Sequence, residues 1–372
     1  MSREKIDMKK LFALVALTAL FPATVFAQSG VRVYVNGIRV NEKTILDNDS
    51  PYIPLRAVSE AMGAKVSWDA GTKSAYITFT EDDAIAKIVE DASPSVVTIV
   101  GNYQSGRDED RYNNLTAHGS GVVYKSNGYI ITNAHVVKDL MNLTVVFSDG
   151  TLVPGKVVCS DEQADIAIVK VDRLGLKPIT FADKNTVVSG KTAIAIGTPI
   201  SLSMRNTVTR GIVCGNGVSL KDSHYKLIQT DATVNPGNSG GPLLNTKGEL
   251  IGITSSKYVS MSIDNVAFAI PVDTVEYIIK QYEQHGFVKK MTFNFELEPS
   301  WEAKIGLPTQ KGLTVKNSKD ATLQNGDVVI SLNDISVHSI TDWNEAVKVN
   351  SGLPLKVKYQ RGDALMEAMI NQ

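Results

Sequence analysis

Apolar and polar side chains alternate from residue 31 to 35, and after Asn36-Gly37 the alternation resumes through Ile38-Arg39-Val40. A period of two puts every second side chain on one face, so two strands are expected, and Asn-Gly between them predicts a type I′ hairpin turn. Leu55, Val58 and Met62 then fall at helical spacing and stop at Gly63, and two further strands are expected at 65–68 and 75–79. This first unit is small, β-rich and carries one helix. A short helix at 85–90 opens the next stretch. Short apolar runs follow at 96–100, 121–124, 129–132, 143–147, 156–159 and 166–171, and a second set at 193–196, 207–213, 227–230, 250–254 and 266–270. Many short strands with Gly and Asn-Gly turns predict paired barrels or a sandwich. Val275, Ile278, Ile279 and Tyr282 share one helical face, with Asp273 as the start signal and Gly286 as the stop. A third unit has expected strands at 313–315, 328–332 and 355–359 and a helix at 342–349.

Composition adds bounds to this pattern. The chain has 372 residues, enough for two or three domains, and 38 basic against 39 acidic side chains give a formal charge of -1. Without a basic field, no nucleic-acid partner is expected. Two cysteines, Cys159 and Cys214, exclude a disulfide-dense scaffold and leave either one distant disulfide or two free thiols. The five histidines, His118, His135, His224, His285 and His338, are scattered, so no metal site is expected. At the N-terminus, Arg3, Lys5, Lys9 and Lys10 precede an apolar run from 11 to 21, then Pro22 and Val25-Phe26-Ala27. That order reads as a signal peptide over 1–27 cleaved before Gln28, with an uncleaved membrane anchor as the alternative. Met8-Lys9-Lys10 is itself a compact start for such a signal. Removing 1–27 takes away these four cations with Glu4 and Asp7, leaving a formal charge of -3. The protein is therefore expected to be exported, as a secreted or cell-surface protein.

Three short contexts carry chemistry. In Asn235-Pro236-Gly237-Asn238-Ser239-Gly240-Gly241-Pro242, glycines flank a serine, so the backbone can turn sharply and bring N–H groups toward a developing oxyanion. His135 stands just past the apolar run 129–132, placed to act as a general base, though an isolated histidine there can be purely structural. Asp165 opens the apolar run 166–171, where a buried carboxylate needs a partner such as an imidazole N–H, or is simply a turn residue. Their order, His, Asp, Ser, is that of chymotrypsin-like enzymes.

The strings TNAHVV, ADIAIVKV and TDATVNPGNSGGPLL, followed by GELIGI and AFAIP, closely resemble the HtrA/Deg family of trypsin-like serine proteases over residues 84–287. The resemblance implies Ser239 as nucleophile, His135 as proton acceptor and donor, and Asp165 as the group that orients the imidazole. It places the oxyanion hole at the N–H groups of Gly237 and Ser239. Thr233 stands where trypsin has the aspartate that binds basic side chains, so no Arg/Lys preference is expected. Thr233 and Val234 would instead border a pocket for small or medium aliphatic side chains, with the strand around Phe268 supporting the substrate backbone. Gly197-Thr198-Pro199-Ile200-Ser201-Leu202 departs from the family, which usually has Asn-Pro and a further Gly there. The resemblance also implies unfolded or damaged proteins as substrates, a conformational step that forms the oxyanion hole, a homotrimer, and no cofactor.

Residues 288–372 resemble a PDZ domain through Ile305-Gly306-Leu307-Pro308, Lys311-Gly312-Leu313-Thr314-Val315 and Asn325-Gly326-Asp327-Val328-Val329. PDZ domains capture C-terminal peptides by strand addition, but Met291-Thr292-Phe293-Asn294-Phe295 replaces the Gly-containing carboxylate loop, which leaves a structural or regulatory role open. VRVYVNGIRV and PYIPLRAVSEAMGAKVSWDAGTKSAYITF resemble the copper amine oxidase N-terminal-like stalk domain over 30–80, a spacer or wall-binding module. No histidine lies there, so copper is not implied. Arg361-Gly362-Asp363 reads as a hairpin turn in preference to an integrin-binding tripeptide.

The expected architecture is thus mostly β: a chymotrypsin-like double β-barrel protease over 81–287, with a small α+β N-terminal domain and a C-terminal PDZ-like domain. The expected function is that of an exported serine endopeptidase. The alternative is a catalytically silent surface-binding protein that keeps the fold.

Overall fold

The computed structural model describes residues 32–35, 38–42, 44–78, 81–103, 116–258 and 265–370. Residues 1–27, read as a signal peptide, Asn36-Gly37, read as a turn, and Phe79 lie outside the described residues. The chain divides into two compact units, Met1–Ala84 and Ile85–Gln372.

In the first unit, β1 (Val33–Val35) pairs antiparallel with β2 (Ile38–Val40), and Val35 faces Ile38 across the turn. A second hairpin, β3 (Ile45–Asp47) and β4 (Ser50–Tyr52), went unanticipated. Its turn is Asn48-Asp49, with φ of 47° and 61°, and Asn and Asp are the non-glycine residues that best tolerate this left-handed geometry. Helix α1 (Leu55–Ala61) is tied to β5 (Lys65–Asp69) by the Arg56 guanidinium, which donates to the Val66 carbonyl at 2.8 Å. Strand β6 (Ser74–Thr78) pairs with β5. Ala64 is the one fully buried apolar side chain among the described residues of this unit, as expected where so short a chain encloses little volume.

Helix α2 (Glu81–Ala92) is longer than expected, and the second unit begins within it, at Ile85; Ile85, Ile88 and Val89 lean on the main core. Strands β7 (Val96–Tyr103), β8 (Thr116–Lys125), β9 (Tyr129–Thr132), β10 (Leu140–Val146), β11 (Leu152–Asp161) and β12 (Ile166–Val171) close into a six-stranded antiparallel barrel. A one-turn helix, α3 (Ala134–Val137), interrupts it after β9. A second barrel is built from β13 (Thr192–Gly197), β14 (Thr207–Val218), β15 (Leu227–Thr230), β16 (Pro242–Leu244), β17 (Leu250–Ser255) and β18 (Ala267–Pro271). Each expected strand is present; β16 is additional, three residues long and flush against the glycine turn. One core cluster joins Val122 and Ile131 of the first barrel to Ile194, Ile196 and Ile253 of the second. Part of the seam between barrels is thus an apolar, close-packed wall.

Helix α4 (Val272–His285) follows, ended by Gly286 at φ 79°. The expected start signal is corrected: Pro271 is the cap, and Asp273 lies in the first turn, where its carboxylate accepts from Lys348 at 2.9 Å. The chain ends in a sheet ordered β19 (Glu296–Glu298), β20 (Leu313–Lys316), β21 (Val328–Leu332), β23 (Leu355–Arg361), β24 (Ala364–Ile370), with β22 (Ile335–Ser336) beside β21 and the short α5 (Trp301–Lys304) after β19. Helix α6 (Ile340–Val349) begins in a capping box between Ser339 and Asp342 and buries Trp343 edge-on against Phe293 and Phe295. Arg361 pairs face Ala364 across Gly362-Asp363, as a hairpin requires, and the Arg361 guanidinium grips both carboxylate oxygens of Asp327 at 2.8 and 2.7 Å.

Both cysteines are free, Cys159 buried and Cys214 exposed. Among the described residues no helix is long and apolar enough to cross a membrane.

Candidate active site between the barrels

Asp165 precedes β12 in the left-handed region, φ 54°, a conformation Asp adopts more readily than most residues. This kink turns its side chain inward until it is 1% exposed. Burial of a carboxylate is costly unless its lone pairs are filled, and here they are. Oδ1 accepts from the His135 backbone N–H at 3.1 Å, both oxygens lie 2.9–3.0 Å from His135 Nδ1, and the Ser255 hydroxyl donates to Oδ2 at 3.0 Å. The Asp165 carbonyl accepts from the Asn133 amide and the Ala134 N–H, which fixes the two segments together. Because a carboxylate only accepts, Nδ1 carries the ring hydrogen and Nε2 presents a lone pair.

Ser239 belongs to the second barrel, in the turn before β16. The turn needs its glycines: Gly240, at φ 86°, has no room for a Cβ against the Ser120 carbonyl, and Gly237, at φ 101°, none against the Thr198 carbonyl. Hydrogen bonds to both barrels clamp it. Ser120 donates its N–H to the Ser239 carbonyl and its hydroxyl to the Gly237 carbonyl, each at 2.8 Å, and the Thr254 hydroxyl donates to the Asn238 carbonyl at 2.7 Å. The Ile200 N–H donates to the Pro236 carbonyl at 2.9 Å. In a trans peptide the N–H points opposite to the carbonyl, so Gly237 N–H is aimed away from the 198–200 loop. Among the described residues, the N–H groups of Asn238, Gly240 and Gly241 all have acceptors, whereas those of Gly237 and Ser239 have none. These two are the donors assigned from sequence.

The Ser239 hydroxyl is bonded to Ser256, not to His135. Its oxygen lies 2.6 Å from Ser256 Oγ and accepts the Ser256 N–H at 2.9 Å. Ser255 and Ser256 are consecutive, so one dipeptide at the end of β17 touches both Asp165 and Ser239. Val234 is buried and Thr233 exposed at the entrance of the turn, where the Thr209 hydroxyl donates to the Thr233 carbonyl at 2.9 Å. Phe268 sits on β18 opposite Ser255. Sequence reasoning missed Ser120, Asn133, Ser255 and Ser256. The small polar residue at position 255, ending an apolar strand, was the available signal. Among the described residues no group of three or more His, Cys, Asp or Glu is arranged to hold a metal ion.

Two closed six-stranded barrels with a His–Asp pair on one and a serine in a glycine turn on the other define a chymotrypsin-like serine protease. The trypsin-like peptidase domain family matches residues 119–253, and the copper amine oxidase N-terminal domain family matches 34–93. The serine protease Do-like HtrA of Lactococcus lactis subsp. cremoris is 31% identical over 337 residues, covering 78% of this chain and 83% of that protein. The putative serine protease HhoB of Synechocystis sp. is 33% identical over 267 residues, 66% of this chain and 63% of its own length. Among solved structures, the HtrA-type protease AlgW with a tripeptide superposes at a TM-score of 0.62 with 26% identity, over 77% of this chain and 95% of that one. The serine endoprotease from Yersinia pestis gives 0.57 and 27%, over 77% and 96%. The chain belongs to the HtrA family of serine proteases, and its class is that of a serine endopeptidase.

Proposed function

We propose that this chain is an exported protease that cuts unfolded or damaged proteins through an acyl-enzyme intermediate, with Ser239 as nucleophile, His135 as general base and acid, and Asp165 as the orienting carboxylate. The observation that carries the reading is the buried Asp165 held on His135 Nδ1, which leaves Nε2 as the ring nitrogen with a free lone pair. Acylation forms the Oγ–carbonyl bond while the proton passes to Nε2 and then to the departing amine. The unpaired Gly237 and Ser239 N–H groups would receive the oxyanion, an arrangement in which one donor is worth on the order of 10² to 10³ in rate. Thr233 and Val234 would border the pocket for an aliphatic side chain. The leader at 1–27 supports export, the N-terminal unit a spacer or wall contact, and the C-terminal sheet a PDZ-like role. Phe293, Phe295 and Trp343 pack together beside that sheet, which supports a docked regulatory element over peptide capture.

The test is digestion of a chemically unfolded protein by the purified chain and by its Ser239→Ala and His135→Ala variants, with cut sites read by mass spectrometry. Cleavage after small or medium aliphatic residues by the parent alone supports the reading. Equal cleavage by the variants, or cuts confined to Arg and Lys, overturns it. One observation favours the silent-binder alternative, the Ser239 hydroxyl turned to Ser256, and total inactivity of the parent would select it.

A further inference from the structure

The partner of the Ser239 hydroxyl bears on how the reaction is held in check. For acylation its proton must leave toward His135 Nε2, so Nε2 has to be the acceptor of that O–H. Here both bonds made by Oγ run to one other residue: the oxygen accepts the Ser256 N–H at 2.9 Å and shares a hydrogen with Ser256 Oγ at 2.6 Å. Ser256 is in place to do this because β17 ends at Ser255, which is committed to Asp165, and the backbone then tightens into the one-turn Ser256–Tyr258 helix. That turn swings the Ser256 N–H and hydroxyl to the same side, toward the glycine turn.

Resting on the catalytic roles proposed above, we propose that Ser256 is a positioning residue that holds the nucleophile in a resting rotamer, its hydroxyl competing with His135 Nε2 for the Ser239 proton. Substrate engagement has to release this bond before Oγ can attack. The N–H contact involves backbone and survives any side-chain change, so the hydroxyl is the separable part of the lock. Losing one neutral hydrogen bond of this kind shifts the rotamer balance by roughly three- to tenfold.

The experiment compares the full chain with Ser256→Ala and Ser256→Thr, reading the second-order rate of labelling by a fluorophosphonate and kcat and KM on an aliphatic peptide anilide. Expected is a rise of about three- to tenfold in labelling rate and kcat for Ser256→Ala with KM unchanged, returned to the parent value by Ser256→Thr, which restores the hydroxyl. An unchanged or lower rate in Ser256→Ala overturns the proposal, as does a matching rise in Ser256→Thr. Labelling that persists in Ser239→Ala overturns the underlying assignment of Ser239 instead, and is told apart by that control.

Discussion

Ile200 is β-branched yet sits at φ 61°, and the Ser201 N–H folds back onto the Pro199 carbonyl, closing a γ-turn of the rare and strained hand. Such a residue costs on the order of 1–3 kcal/mol, and it persists because its N–H holds the Pro236 carbonyl and thereby sets the direction of Gly237 N–H. Glycine relieves the strain but frees the unfolded chain. Ile200→Gly is therefore expected to stabilise the protein by about 1 kcal/mol net, measured by urea unfolding, and a loss of stability would show the turn is unstrained. Asp165 poses the opposite case, a buried charge made tolerable by its donors. Ser255→Ala removes one of them and should cost about 1–3 kcal/mol in the same assay, while Asp165→Asn lets the imidazole take the wrong tautomer and should lower kcat on the order of 10⁴-fold with little change in unfolding. His135, Asp165 and Ser239 stood out as candidates in the sequence because each sits in a local context whose residue types suit the proposed chemistry. Ser120, Ser255 and Ser256 were not, because a lone serine acquires its role from what another strand places beside it.

Helix α6 shows the same division at the scale of elements. A helix at 342–349 is expected from the sequence, and it is present two residues longer at its start, where the Ser339–Asp342 box caps it. Its outer residues look like an ordinary solvated face, but they meet the second barrel and helix α4. Lys348 is 4% exposed and donates to Asp273 at 2.9 Å, to Glu345 at 2.6 Å and to the Thr274 hydroxyl at 2.8 Å. Lys226 reaches Asp342 at 2.7 Å, and its N–H donates to Glu345. Removing one partner of a buried ion group leaves the others uncompensated. Lys348→Met, which keeps the volume, is expected to destabilise by about 3 kcal/mol and to expose the 285–300 segment to limited proteolysis; unaltered digestion would show that helix α6 is held by other contacts.

At the scale of the molecule, the two barrels and helix α6 meet near His224. Its ring packs edge-on against Tyr225 at 4.7 Å, and the Asn344 amide donates to its carbonyl and to Nδ1, a bond that needs Nδ1 unprotonated. Burial holds its pKa below the ordinary histidine value, against the opposing pull of Asp161 and Glu345. The unfolded chain thus binds this proton more readily than the folded one, so stability is full above the unfolded pKa near 6.5 and is lost as pH falls through the interval down to the depressed folded value. Thermal unfolding between pH 7.5 and 5 should show a falling midpoint whose slope is reduced in His224→Gln. An identical slope in the variant would remove His224 from the account.

By itself the sequence determined the two sets of strands, the glycine turn, the three contexts in the order His, Asp, Ser, and the class of chemistry they allow. Those features are written in neighbouring residues, since strand period, positive φ and close backbone approach are local demands. Barrel closure decided the rest. Only the pairing of β17 with β18 and its return against the Ser239 turn gives Asp165 its third donor and Ser239 its competing partner. Only the docking of helix α6 buries Lys348. A side chain's hydrogen-bond partner is set by segments tens to hundreds of residues away, and their meeting depends on the packing of the entire core.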